Sequence, residues 1–183
     1  MYIAIAPHQY SKIMGNSSEV TDLRYRQMIV ELIENFRTAY NRRDIPFLKD
    51  IFSDETLIIT GKVLYPQKRA NIPAAFNQTQ TQYLSNLQKA FNANAYINIK
   101  FDDIAVTRHE VNPNIYGITL KQEWNASGGY HDEGWLFLMI DYEDENNPLI
   151  WVRIWQPLID DNTGKEIHYD PEDILGLGHF PIK

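Results

Sequence analysis

Between Arg108 and Pro157 the chain repeats one pattern: a run of β-branched and aromatic residues, then a cluster of Asn, Pro, Ser or Gly. The runs are 115–124, 131–143 and 149–156, and a further run, 96–109, leads into them. The breaks are Asn112-Pro113-Asn114, Ala126-Ser127-Gly128-Gly129 and Glu145-Asn146-Asn147-Pro148. This is the signature of antiparallel strands joined by tight turns. All four tryptophans, Trp124, Trp135, Trp151 and Trp155, fall inside it. The rest of the chain has to cover this meander.

Adjacent strand residues point to opposite faces. On 115–124, Tyr116, Ile118, Leu120, Gln122 and Trp124 share one face, which is predicted to meet helices. The segment 131–143 is apolar on both sides, with Leu136, Leu138 and Ile140 opposite Trp135, Phe137 and Met139, so both sides need cover. In 149–156, Ile150, Val152 and Ile154 oppose Trp151, Arg153 and Trp155. Three helices do not easily cover two faces. The simplest cover for the second face is another copy of the chain, which predicts a homodimer through the sheet. The competing cover is the chain's own C-terminal segment.

Those helices come first. Ile29, Leu32, Ile33, Phe36 and Tyr40 form one stripe of a helix that begins near Thr21 and stops near Arg42-Arg43. Asp44 reads as an N-cap with Pro46 in the first turn, opening a short helix that buries Ile45, Leu48, Ile51 and Phe52. Ser53-Asp54-Glu55 reads as a break, and Thr56 to Thr60 as a strand ended by Gly61. Residues 62–78 read as an exposed loop, long enough to form a lip. Thr79 and Gln82 match a capping box before a third helix with the stripe Tyr83, Leu84, Leu87 and Phe91. The expected division is an irregular segment 1–20, one domain over 21–157, and a turn, short helix and tail over 158–183.

At 183 residues, 44% of them hydrophobic, the chain can bury one real core. Its net charge of −7 carries no basic footprint, so nucleic acid is not an expected partner. The absence of cysteine removes disulfides, thiol catalysis and zinc–thiolate sites. No apolar run approaches the roughly 20 residues that span a bilayer. The first residues have a short apolar patch, Tyr2 to Ala6, without a basic flank, so they do not read as an export signal. The expectation is a cytoplasmic protein, or an exported one whose signal is absent from this sequence.

The segments IENFRTAYNRRDIPFLKDIFSDETLIITG and VRIWQP, set in this order of elements, resemble the nuclear transport factor 2-like superfamily (SnoaL-like, cystatin-like) over residues 24–157. The resemblance implies an α+β fold: a cone-shaped, curved antiparallel sheet wrapped by three N-terminal helices around a pocket. The segments YLSNLQKAF, RHEVNPNIYGITLKQEW and GWLFLMIDY resemble an uncharacterised bacterial branch of Bacteroidetes type. Members of the superfamily include ketosteroid isomerase, scytalone dehydratase, polyketide cyclases and non-catalytic binding or dimerisation modules, so the fold does not fix the chemistry.

The enzymatic signatures are incomplete. In ketosteroid-isomerase-like members a general-base Asp stands on the first strand; that position falls near Thr60, which cannot abstract a proton at neutral pH. Dehydratase-like members use a His with a carboxylate helper. His131 and Asp132 are adjacent and face opposite ways, His109 reads as a solvated strand end, and His168 and His179 lie in the tail. HExxH, GxSxG, GxGxxG and the P-loop are absent. Asp160-Asn162-Gly164 has the wrong glycine offset for a calcium loop and reads as a hairpin turn. No catalytic residue, metal ligand or cofactor is assigned. There remains a pocket lining of Tyr40, Tyr116, Gln122 and Trp124, with Trp151 and Arg153 or their strand neighbours. Its walls suit a small apolar molecule; the alternative is that these side chains fill the cone. The expected function is a non-enzymatic small-molecule-binding or protein-interaction module. The alternative is a SnoaL- or ketosteroid-isomerase-like lyase or isomerase acting on an apolar substrate.

Overall fold

The computed structural model describes residues 23–59, 77–160 and 162–177. The readings made for residues 1–22, Thr60, Gly61, most of the 62–78 loop and the tail with His179 lie outside the described residues.

Helix α1 (Leu23–Arg42) buries its predicted stripe, Ile29, Leu32, Ile33, Phe36 and Tyr40. It ends with Arg43 in the left-handed region at φ 59°. There the Arg43 amide donates to Tyr40 O and the Asp44 amide to Ala39 O, the paired bonds of a Schellman stop. Glycine is usual at such a position; here the Arg43 side chain compensates by donating to Asn94 O at 2.8 Å. Asp44 then caps α2 (Ile45–Ile51), its carboxylate accepting from the Phe47 amide at 3.1 Å. The expected capping box is present before α3 (Gln80–Ala93), formed by Thr79 and Gln82.

The strands are β1 (Phe52–Ile59), β2 (Asn77–Gln78), β3 (Ile97–Arg108), β4 (Ile115–Ala126), β5 (His131–Asp141) and β6 (Leu149–Pro157). They form one sheet in the order β2-β1-β6-β5-β4-β3. The four-strand meander is as read. Two details differ. Ser53-Asp54-Glu55 is a bulge within β1 rather than a break before it, because Phe52 and Leu57 pair with Ile150 and Val152. The end of the predicted loop, Asn77-Gln78, is a short strand against β1.

Further bulges lie in β3, after Asp102, and in β6, where Met139 pairs with Val152 but Ile140 with Ile150. Bulges bend strands, and they give this sheet its curvature. In β3 the extra residue is Asp103, at φ 48°, so Ile104 and Val106 return to the side of Ile97, Ile99 and Phe101. In β6 the extra residue is Trp151.

The inner face of the sheet joins the three helices in the main core, with Ile118, Leu120, Leu136, Leu138 and Ile140 among its members. On the outer face Ile59, Phe137, Val152, Ile154 and Leu175 form a second cluster, flanked by Met139 and Trp151. Part of the cover here comes from the chain itself. The Gln156 side chain donates to Asp173 O at 2.9 Å and accepts from the Leu175 amide at 3.0 Å. Thr119 Oγ1 donates to Leu175 O at 2.9 Å. Leu177 sits so close over Gly117 that a Cβ there would meet its Cβ at 2.7 Å. A one-turn 3₁₀ helix, Pro171–Asp173, precedes this segment. Among the described residues no helix is long and apolar enough to cross a membrane.

Candidate functional site

The Trp151 bulge decides what faces the cone. Strict alternation puts Trp151, Arg153 and Trp155 on one side; the extra residue instead leaves Trp151 outside with Val152 and turns Arg153 and Trp155 inward with Ile150. On β5, Gly134 pairs with Pro157 and lies under the neighbouring Trp155 side chain, where a Cβ would come within 2.9 Å of the indole and 2.4 Å of Gln156 O. Only glycine lets the indole lie across that strand.

Between this wall and α3 is a pocket of about 270 Å³. Tyr83, Leu87 and Ala90 line it from α3, Gln122 and Trp124 from β4, Asp132 from β5, and Arg153 and Trp155 from β6. Both ends of α3 are fastened. Gln80 at its start donates to Lys49 O and Phe52 O, at 3.0 and 2.9 Å, and Asn94 at its end accepts from the Gly128 amide of the β4–β5 hairpin at 3.0 Å.

Arg153 is buried, at 5% exposure. Its guanidinium stacks on the Tyr83 ring, 4.8 Å from the centroid, and forms no ion pair with a described residue. Its Nε and Nη1, the Gln122 Oε1 and the Gln78 Oε1 are shut off from solvent without a hydrogen-bond partner, and all three residues line the pocket. Burial works against the Arg153 charge, but the Tyr83 and Tyr40 phenols outweigh it and hold the group above its ordinary pKa. Burial, reinforced by Tyr83, keeps the Tyr40 phenol well above its usual value despite the pull of Arg153. The site thus carries a cation beside the neutral Tyr40 phenol at neutral pH.

The predicted lining divides. Gln122, Trp124 and Arg153 line the pocket. Tyr40 stands directly behind it, bonded to the Tyr83 hydroxyl and edge-on to Trp124. Tyr116 lies elsewhere, packed against Tyr25 and Tyr142, and Trp151 is on the outer face. Sequence reasoning missed Asp132 as a lining residue. The alternation that separates it from His131 was the available signal: it puts Asp132 on the same side as Leu136 and Leu138. Asp132 is half-buried and accepts from the Tyr130 hydroxyl at 3.1 Å.

The described histidines stand apart from the pocket. His109 Nδ1 accepts from the amides of Val111 and Asn112, at 3.2 and 2.8 Å, and His131 pairs with Asn125 on the surface. Asp160 forms the expected turn, its carboxylate accepting from the Asn162 and Thr163 amides. Among the described residues no acidic or histidine cluster could hold a metal. A larger groove of about 470 Å³ runs between α1, α2 and the β5–β6 hairpin. Glu145 on its edge is taken up by Arg24 and Tyr25, and none of its lining residues has an orphaned buried polar atom, so the smaller pocket is the better candidate.

No protein-family profile matches the chain, and no curated protein matches it. Solved structures do. An NTF2-like protein of unknown function from Pseudomonas putida KT2440 superposes with a TM-score of 0.56 at 13% identity, over 83% of this chain and 97% of that one. The chain has the NTF2-like fold. A proposed scytalone dehydratase from Novosphingobium aromaticivorans DSM 12444 superposes with a TM-score of 0.58 at 11% identity, over 81% of this chain and 95% of that one. Bd1075 of Bdellovibrio bacteriovorus gives a TM-score of 0.58 at 14% identity, over 76% of this chain but only 43% of its own length. In this chain the pocket lies between α3 and the strands β4, β5 and β6.

Proposed function

We propose that this protein is a non-enzymatic small-molecule-binding module whose ligand sits in the NTF2-like cone. The observation that supports it is the pocket beneath α3, with aromatic walls and buried polar atoms that the fold itself does not satisfy. A cone that is merely filled has no use for an unpaired guanidinium, since leucine or methionine costs less there. At about 270 Å³ the pocket lies just below the roughly 300–1,000 Å³ typical of ligand sites, which suits a body of one or two rings. Saturable binding of a small aromatic probe such as indole, followed by calorimetry and abolished in Ala90→Phe, is the expected result. Equal binding in that variant would place the probe elsewhere and remove the reading.

One observation favours a second reading, a lyase or isomerase. Asp132 puts a carboxylate on the pocket wall, and structural neighbours are named as proposed dehydratases. A carboxylate base would exchange a carbon-bound proton of a bound ligand with solvent. Deuterium uptake into the ligand, lost in Asp132→Asn, would move the protein to this class.

We also propose that the chain pairs with a second copy through the outer face. Trp151 and Met139 are only half-buried there, beside the part covered by the C-terminal segment. Light scattering after size exclusion should return twice the chain mass of 21.4 kDa; a single-chain mass removes the proposal.

A further inference from the structure

We infer that the ligand is a small ring-bearing carboxylate, its anionic head on Arg153 and a hydrogen-bond donor at its far end. The inference rests on the binding-module reading above and adds the ligand's chemistry and direction.

The pocket is electrically bipolar. Arg153 stacks on Tyr83 in the first turn of α3. Asp132 and Tyr130 belong to the β4–β5 hairpin, which Asn94 fastens to the other end of that helix. From Tyr83 to Ala90 the helix rises about 10 Å at 1.5 Å per residue. The positive and negative groups therefore face one elongated pocket from opposite ends, and they form no ion pair with each other.

The energetics point the same way. Taking a guanidinium out of water costs several kcal/mol after relaxation, and a desolvated cation–π contact returns about 2 kcal/mol. The Tyr83 and Tyr40 phenols offset the burial of the charge, but Nε and Nη1 still make no hydrogen bond. A carboxylate satisfies them in a form that phenols and glutamines cannot, because its two oxygens match two parallel N–H groups. Binding includes a turn of the guanidinium onto the ligand head. Leu87, Trp124 and Trp155 supply a flat apolar middle. At the far end the Asp132 carboxylate repels a second acid and accepts from a hydroxyl or amine.

The test uses the whole chain and three probes: 3-(4-hydroxyphenyl)propanoate, 3-phenylpropanoate and the uncharged 3-phenylpropanamide. By calorimetry the hydroxylated acid should bind best. The plain acid should bind about tenfold more tightly than the amide, given the usual worth of a hydrogen bond to a charged group. Arg153→Met should erase the difference between acid and amide while leaving amide binding in place. Asp132→Asn should erase the advantage of the phenolic hydroxyl. Amide binding as tight as acid binding overturns the inference and leaves the binding module standing. Failure of all three probes, with indole also silent, removes the module itself. Should Arg153→Met not fold, the ratio of acid to amide in the unaltered protein decides alone.

Discussion

The hydroxyl oxygens of Tyr40 and Tyr83 lie 2.5 Å apart, one on α1 and one on α3, in a place closed to solvent. Each phenol is the other's hydrogen-bond partner. Replacing Tyr40 by Phe leaves the Tyr83 hydroxyl buried without this bond, a loss of about 1–3 kcal/mol, whereas in Tyr83→Phe the Tyr40 hydroxyl keeps its contact with Arg153. Replacing both removes the orphan along with the bond. The double variant Tyr40→Phe/Tyr83→Phe should therefore lose less than the sum of the single losses in urea unfolding. Strict additivity would mean that the two hydroxyls do not depend on each other.

Alkaline pH should weaken the fold through buried phenols. Burial, then the neighbouring Tyr116 and Glu31, raises the Tyr142 phenol far above its ordinary value, and Tyr40 is raised as well. Unfolded tyrosine loses its proton near pH 10. Below that, both states hold the proton and the contribution is fully present. Above it the unfolded chain ionises first, so stability falls with pH until the folded values are reached, by up to about 1.4 kcal/mol per pH unit and phenol. Urea midpoints from pH 8 to 11 should show a flat region and then a decline, shallower in Tyr142→Phe. A midpoint that holds level to pH 11 would contradict this.

Gln156 holds the C-terminal segment from two sides, donating to Asp173 O and accepting from the Leu175 amide. Gln156→Ala leaves that backbone amide and carbonyl unpaired over an apolar face, at about 1–3 kcal/mol. Amide exchange by mass spectrometry should speed up within 171–177 while the β4 and β5 amides stay protected. Uniform acceleration across the sheet would show that the segment is not a separable cover.

Gly134→Ala drives a methyl group against Gln156 O and the Trp155 indole. Overpacking of this kind costs about 1–3 kcal/mol. Because the indole is a pocket wall, its displacement should also weaken indole binding and alter tryptophan fluorescence. An unchanged melting temperature would show that β5 and β6 separate freely there.

Where one face and one period governed a segment, the sequence was readable. The α1 stripe, the Asp44 cap, the Thr79–Gln82 box and the turns of the meander all follow from local spacing, and each formed where expected. Gln122, Trp124 and Arg153 follow from it too. What failed to show was set by partners distant in the chain. Trp151 carries no mark of a bulge: its extra place exists because Ile150 and Val152 must both match β1 and β5. Tyr116 shares a face with Gln122, yet three further pairs along the strand it meets Tyr25 and Tyr142 instead of the pocket. The parallel β1–β6 pairing, and the seating of Leu175 and Leu177 on the outer face, have no local signature at all.

Parallel pairing of Leu57 with Val152 also imposes an order of assembly. A ribosome delivers α1, α2 and β1 long before β6, and β6 is the neighbour on which β1 depends for its place in the sheet. The intervening chain must be closed into a loop before the first bond of that ladder can form. Until then the helical half carries an uncovered apolar side, open to wrong partners in a crowded cell. The last strand to be made completes the core around the first, so a chain stopped short of Leu149 lacks the strand that ties β1 to the rest of the sheet.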